Sequence, residues 1–352
     1  MSASFTSPMA AVALAVIPPA EAGESTTSPL PPVPDARGFA GAFAGVTGHH
    51  LLAGGGANFP DGKMPWEGGK KVWHDRLFAL DLTAADAKWE EIGHLPAANG
   101  YGVSLTIPEG ILVIGGGDAT RHFRDVFLLT LDSAKKPSFQ ALPALPEPLA
   151  QMAGAVVGRM VHLCGGITTP DATSSSAKHW VLDLDAKDRG WQPALELPAA
   201  GRILATAASA DGAFFVMGGC SLAADADGKP TRTYLRDAWK FSSNRWTKVA
   251  DLPRGSVAAA SPAPTNGQDF FLVSGDDGAQ VGLASPAAHK GFTPEILRYD
   301  VAKDEWKAAG FLSVPPPVTL AVAPWKDGTI FFNGEVRPGV RTTQVFIFHP
   351  AP

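Results

Sequence analysis

The sequence predicts an all-β chain, a six-bladed kelch-type β-propeller whose last blade is closed by a strand from the N-terminus. Three observations carry that prediction. Runs of Val, Ile, Leu, Phe and Ala end in a small dipeptide at Gly54-Gly55, Gly115-Gly116, Gly165-Gly166, Gly218-Gly219, Ser274-Gly275 and Asn333-Gly334, 50 to 61 residues apart. An apolar-Pro pair precedes each of the last five by 19 to 22 residues: Leu95-Pro96, Leu145-Pro146, Leu197-Pro198, Leu252-Pro253 and Val314-Pro315. An aromatic stands six residues before the first four pairs, at Trp89, Phe139, Trp191 and Trp246, and Trp306 stands eight before Val314. Markers held in constant phase at this period are the sign of a repeat architecture, and kelch blades are of about this length.

Composition agrees with many short strands and tight turns. The 352 residues are 45% hydrophobic and 18% charged, with 38 Gly and 31 Pro. A formal charge of −5 gives no electrostatic footprint for nucleic acid. Cys164 and Cys220 are too few for a disulfide or metal framework and are expected as buried thiols. Residues 1–22 are expected to be a signal peptide or a disordered leader, with the propeller over 23–352. The apolar run Met9 to Ile17 is too short to span a bilayer, so no membrane association is expected. Ala20-Glu21-Ala22 has the small-x-small form of a cleavage site, although no Lys or Arg precedes the run. Cleavage would make the protein periplasmic or otherwise exported; without it the protein would be cytoplasmic.

The elements then follow in chain order. Val33-Pro34 supplies the marker that the first dipeptide needs, 21 residues upstream of Gly54. Each blade should hold four short antiparallel strands, the dipeptide ending the second and the apolar-Pro pair following the fourth. The final repeat ends at Phe346-Ile347-Phe348 with no Trp or Leu-Pro after it. Its outer strand is therefore expected from Glu24 to Ser28, paired with Val345 to Phe348, which removes the open sheet edges. By strand parity, the loops after the dipeptides and the starts of the innermost strands gather at one mouth of the central channel. Phe39, Asn58, Tyr101, Gln151, Arg202 and Glu335 are expected there, and such a ring of loops is a natural ligand site.

The residues directly after the dipeptides are Gly56, Gly117, Ile167, Cys220, Asp276 and Glu335. Four are small or apolar, as strands crowding toward an axis require, and two are acids. Glu335 also has Arg341 six residues on, across a Pro-Gly turn. Desolvation favours the neutral form of a channel-facing carboxylate and a neighbouring guanidinium favours the charged form, a balance suited to general acid or base work. A solvated turn Glu paired with Arg341 for structure is the alternative. Arg202 could hold a carboxylate through a bidentate fork, or make an ordinary salt bridge where its blade begins. Tyr101 and Phe39 are expected at the corresponding positions of blades two and one, where aromatic edges can meet the apolar face of a sugar. The loop Gly54 to Lys71 combines aromatic, acidic and basic residues, and fits either ligand contact or packing on its own Trp66.

Gly38-Phe39-Ala40-Gly41, the Gly54 to Lys71 loop, Tyr101-Gly102-Val103-Ser104 and above all Asn333-Gly334-Glu335 with Pro338-Gly339-Val340-Arg341-Thr342 resemble the sialic acid mutarotases, or N-acetylneuraminate epimerases. The resemblance spans the propeller, in a circularly permuted order that places the Asn-Gly-Glu blade last. It implies an isomerase that interconverts the anomers of N-acetylneuraminic acid, with Glu335 and Arg341 as the catalytic pair and a small acidic sugar as partner. Arg202 matches an Arg that follows Gly-Pro in the family, here preceded by Ala200-Gly201. Substrate contacts are expected from Arg202, Phe39, Asn58, Tyr101, Gln151 and Asp276, and the reaction calls for no metal or redox cofactor. The competing expectation is a non-catalytic kelch module that binds a protein or glycan on its loop face, since propellers host many functions. A sialidase lacks support, because no repeated Asp-box is present. A copper oxidase is equally unsupported, because no His pair shares the phase of Tyr101, Tyr234 or Tyr299.

Overall fold

A computed structural model describes residues 24–352, so the expected leader at 1–22 lies outside the described residues. Six sheets surround an axis. Blade one comprises Phe43–Thr47, His50–Gly54, Arg76–Asp81 and Trp89–His94, and blades two, three and four repeat this antiparallel order. Blade five has three regular strands, Phe270–Val273, Glu295–Asp300 and Glu305–Phe311. Its innermost segment contains Pro262 and Pro264, which have no N–H to give to a ladder, so that segment stays irregular. Blade six is closed as expected: Thr26–Leu30 pairs antiparallel with Val345–His349, Thr26 opposite His349 and Leu30 opposite Val345. Among the described residues no helix is long and apolar enough to cross a membrane.

The axis is defined by a closed circle of six backbone hydrogen bonds. Gly41 N–H donates to Thr319 O, Thr319 to Ala258, Ala258 to Leu204, Leu204 to Gln151, Gln151 to Tyr101, and Tyr101 to Gly41, all at 2.7–2.9 Å. All six residues have φ between 49° and 66°. Five of them are not glycine, so closing the ring holds side chains in a conformation they seldom adopt alone.

The markers have physical roles, and the structure shifts the phase of two. The Trp89 indole donates to Pro31 O at 2.8 Å, Trp191 to Pro143 O at 2.9 Å, Trp246 to Leu195 O at 2.8 Å and Trp306 to Ala250 O at 3.0 Å. Each acceptor lies two residues before an apolar marker, so every indole ties its blade to the one before. Such a bond contributes about 1 kcal/mol net, beyond the burial of the ring itself. The apolar marker turns inward, its N–H bonded to the start of the third strand, as Leu95 is to Asp75 O and Leu252 to Arg236 O. In blade five that bond belongs to Leu312, donating to Pro294 O, and not to Val314. Leu312 is six residues after Trp306, so the apparent exception in spacing disappears.

The second correction concerns blade one. In the other blades both residues of the dipeptide have positive φ; in blade one those residues are Gly55 (67°) and Gly56 (79°), not Gly54. A run of three glycines hid the phase. The residue after the dipeptide is accordingly Ala57, which bridges Ala40 as Gly117 bridges Gly100 and Glu335 bridges Val318. Glycine is needed at the second dipeptide position because the segment leading into the blade's own innermost strand comes so close. A Cβ on Gly116 would stand 2.3 Å from Asn99 Oδ1, and one on Gly334 2.6 Å from Val318 O.

The cores lie between blades, where facing sheets interdigitate. Phe78, Leu51, Ile330 and Phe332 fill the seam of blades one and six, and Phe331, Phe348, Phe271 and Val273 fill that of five and six. Each fully buried side chain contributes roughly 1.5–3 kcal/mol. This packing holds the loop ends of the strands at fixed distances round the mouth. Both cysteines are free and buried, as expected.

Candidate active site

Blade six carries an extra hairpin at the mouth. Glu335–Arg337 pairs with Val340–Arg341, with Glu335 directly opposite Arg341. Gly339, at φ 79°, makes the reversal after Pro338. The hairpin is anchored by Glu335 N–H donating to Val318 O and Thr342 N–H donating to Gly334 O. Cross-strand pairing thus brings together side chains six residues apart, and the Arg341 Nη1 to Glu335 Oε2 distance is 2.6 Å. Their side chains are 5% and 20% exposed respectively, so the carboxylate is the member that a ligand can reach.

Arg341 is held on three sides: Nη1 binds Glu335, Nε donates to Ala57 O at 3.3 Å, and the guanidinium lies 4.8 Å from the centroid of the Phe59 ring. The loop after Ala57 folds over this hairpin. Ala57–Asn58 pairs with Val72–Trp73, a short ladder that closes the base of this loop. A Cβ on Gly339 would meet Met64 Sδ at 2.5 Å, with Trp66 at 3.5 Å. Trp66 is 43% exposed and lies against the blade-six turn, not inside its own loop. The return of this loop brings Lys71 to the mouth. Its Nζ lies 4.1 Å from the Tyr101 ring centroid and 4.7 Å from that of Trp73. Burial, followed by the Arg341 charge, pulls the Lys71 ammonium down to about 8, with Glu335 acting in the opposite direction. Burial pushes the Tyr101 phenol up to about 12, so its hydroxyl remains a donor at neutral pH.

Lys71, Trp73 and Tyr101 line a cavity of about 340 Å³ together with His122, Gln151 and Arg232 among others, and the Glu335 and Arg341 pair stands beside it, near enough for its charges to act on Lys71 and Tyr101. That size suits a small ligand. At the hydrogen-bonded ring the channel holds a smaller cavity of about 80 Å³. The far rim is formed by the hairpin Cys220–Ala224 with Pro230–Tyr234, where the Tyr234 hydroxyl donates to Asp276 Oδ2 at 2.6 Å.

Of the residues expected at the mouth, Glu335, Arg341 and Tyr101 act on one another, and Gln151 stands beside Tyr101 in the ring. Asp276 is there too, with one oxygen engaged by Tyr234. Phe39 and Asn58 lie behind this surface. Phe39 is fully buried against His74, with ring centroids 5.2 Å apart, and its N–H donates to Asn333 Oδ1. Asn58 donates to Gly38 O and binds His74 Nε2 at 2.8 Å, so both brace the wall.

Arg202 is elsewhere. Its side chain has no exposed surface; Nη2 pairs with Asp237 Oδ2 at 2.7 Å and Nη1 donates to Gly218 O. The ring position of blade four is Leu204, two residues later, and in blade two it is Tyr101 itself. Arg202 therefore corresponds to Phe39 and Asn99, not to Tyr101, and points between blades. Lys71, Trp73 and Arg232 were not singled out by the sequence, because loop cations carry no mark of what covers them. The His49, His50 and Asp81 trio, whose ligating atoms lie within 4.8 Å of one another, sits at the opposite ends of the blade-one strands. It takes no part in the mouth.

Comparison with known proteins bears on this arrangement. A family model described as N-acetylneuraminate epimerase matches residues 24–136, which cover the closing strand, blade one and the first three strands of blade two and exclude the Glu335 hairpin. The N-acetylneuraminate epimerase of Pasteurella multocida is 28% identical over 249 residues, 62% of each chain. That of Brucella suis is 40% identical over 113 residues, 30% of this chain and 29% of its own. The chain thus spans about six-tenths of the length of the first of these curated relatives. In sequence it resembles N-acetylneuraminate epimerases. The solved structure of YjhT matches with a TM-score of 0.64 at 17% identity, over 90% of this chain and 96% of that one, which shows the propeller fold.

Proposed function

We propose that this chain is a mutarotase that interconverts the α and β anomers of N-acetylneuraminic acid at the mouth bordered by Glu335 and Arg341. The observation that carries the proposal is the paired carboxylate and guanidinium on the blade-six hairpin, close enough to act on Lys71 and Tyr101, which line a cavity of sugar size. The relatives' names supply the substrate class, and the hairpin supplies the chemistry.

Ring opening breaks the bond between the anomeric carbon and the ring oxygen. The anomeric hydroxyl loses its proton and becomes the carbonyl oxygen, while the ring oxygen gains a proton. Glu335 accepts the first proton and delivers it to the ring oxygen. Rotation about the bond next to the new carbonyl, followed by the same transfers in reverse, closes the other anomer. Arg341 keeps the carboxylate oriented and offsets the negative charge that develops as the proton moves. The Tyr101 hydroxyl stands at the same rim as a neutral donor. Because mutarotation proceeds unaided in water, positioning supplies much of the modest acceleration that is needed.

The test is the approach to anomeric equilibrium of freshly dissolved sugar, followed by proton NMR. Pure protein at micromolar concentration should shorten it in proportion to its concentration. An unchanged time course would favour a non-catalytic propeller that binds glycans or proteins on this face.

A further inference from the structure

Resting on the proposed sialic acid chemistry, we infer that Lys71 is the substrate-carboxylate subsite, an ammonium on an aromatic shelf that selects acidic sugars, and that Arg341 does not fill this role. Arg341 has little left to offer a ligand. Its side chain is 5% exposed, and its contacts are to Glu335, the Ala57 carbonyl, the face of Phe59 and the Tyr101 hydroxyl. Turning its fork toward a substrate carboxylate would take it away from Glu335, the group it serves.

Lys71 is in the opposite situation. Among the described residues its ammonium has no carboxylate within salt-bridge distance and no hydrogen-bond acceptor, only the faces of Tyr101 and Trp73. It lines the mouth cavity directly. A cation taken partly out of water without a counterion is costly, and aromatic faces recover only part of that cost. A bound carboxylate would recover the rest. The charged groups acting on the Lys71 ammonium, Arg341 and Glu335, are paired with each other and leave its charge unmatched. With the carboxylate on Lys71, the adjoining anomeric centre faces the Glu335 side of the mouth. The depressed ammonium is consistent with a site that is incomplete until an anion arrives.

Calorimetric titration of N-acetylneuraminate and its C1 methyl ester into wild type, Lys71→Met and Lys71→Arg at neutral pH tests this, alongside anomer-exchange kinetics. Wild type should prefer the acid over the ester by about tenfold or more, the scale of a charge-assisted hydrogen bond. Lys71→Met should lose that preference by weakening acid binding alone, raising KM with little change in kcat. Lys71→Arg should keep most of it. If wild type binds and exchanges the sugar while Lys71→Met retains the preference, the subsite is overturned and the proposed function stands. If wild type neither binds the acid nor accelerates exchange, both fall together.

Discussion

Glu335→Gln should slow enzyme-catalysed anomer exchange by about two to four orders of magnitude, toward the rate in water, while sugar affinity changes only a few-fold. Gln is nearly isosteric, and its amide oxygen can still accept from Arg341 Nη1, so the hairpin and its 2.6 Å contact need not be disturbed. What Gln cannot do is take a proton and return it. A loss in kcat without a matching loss in binding therefore separates proton transfer from positioning. Saturation-transfer NMR between the two anomers measures the first, and calorimetry on the same sample measures the second. A variant that exchanges at the wild-type rate would remove Glu335 from the chemistry.

Arg202→Met should have the next largest effect, and on a different quantity. Removing the guanidinium leaves Asp237 half-buried, with the Trp239 indole, at 2.6 Å, still donating to it. Breaking a buried pair from one side costs about 3–5 kcal/mol, and the partial exposure of Asp237 puts the expected loss at the lower end. Exchange activity per folded molecule should stay near wild type, because Arg202 touches nothing at the mouth. The pair also predicts the sign of a pH effect. Burial pushes the Asp237 carboxyl up, but the Arg202 hydrogen bond and charge outweigh it and hold the group below its ordinary value. Its contribution is present above the ordinary carboxylate range and is lost as pH falls through the lowered value. Denaturant unfolding from pH 7 down to pH 3 should therefore show an acid-dependent loss in wild type that Arg202→Met largely lacks.

The two positions show what the sequence carried and what it did not. Blade number, ring closure and the pairing of Thr26–Leu30 with Val345–His349 followed from spacing, because each marker has one physical task repeated at fixed distance along the chain. The Glu335 and Arg341 pair was legible because a Pro-Gly turn between two residues six apart brings them face to face across a hairpin. Arg202 was misplaced because the direction of its side chain depends on a two-residue offset. The ring position has positive φ and is filled by Gly, Tyr, Gln, Leu, Ala or Thr, a set with no common chemistry to mark it. Leu312 was overlooked because the neighbouring Val314-Pro315 looked more like the other markers, whereas the backbone bond to Pro294 O sets the true phase. Lys71 was invisible for another reason. A loop lysine is ordinarily solvated, and only the return of its loop over Tyr101 and Trp73 gives it a desolvated place.

One crystal complex would test the central claim most directly: Glu335→Gln soaked with N-acetylneuraminate, in which the trapped sugar reports its own orientation. The account predicts the sugar in the mouth, with its anomeric hydroxyl in hydrogen-bond range of residue 335 and its carboxylate against Lys71. A sugar bound at the opposite end of the channel, or in the mouth with its anomeric oxygen turned away from the blade-six hairpin, would contradict it.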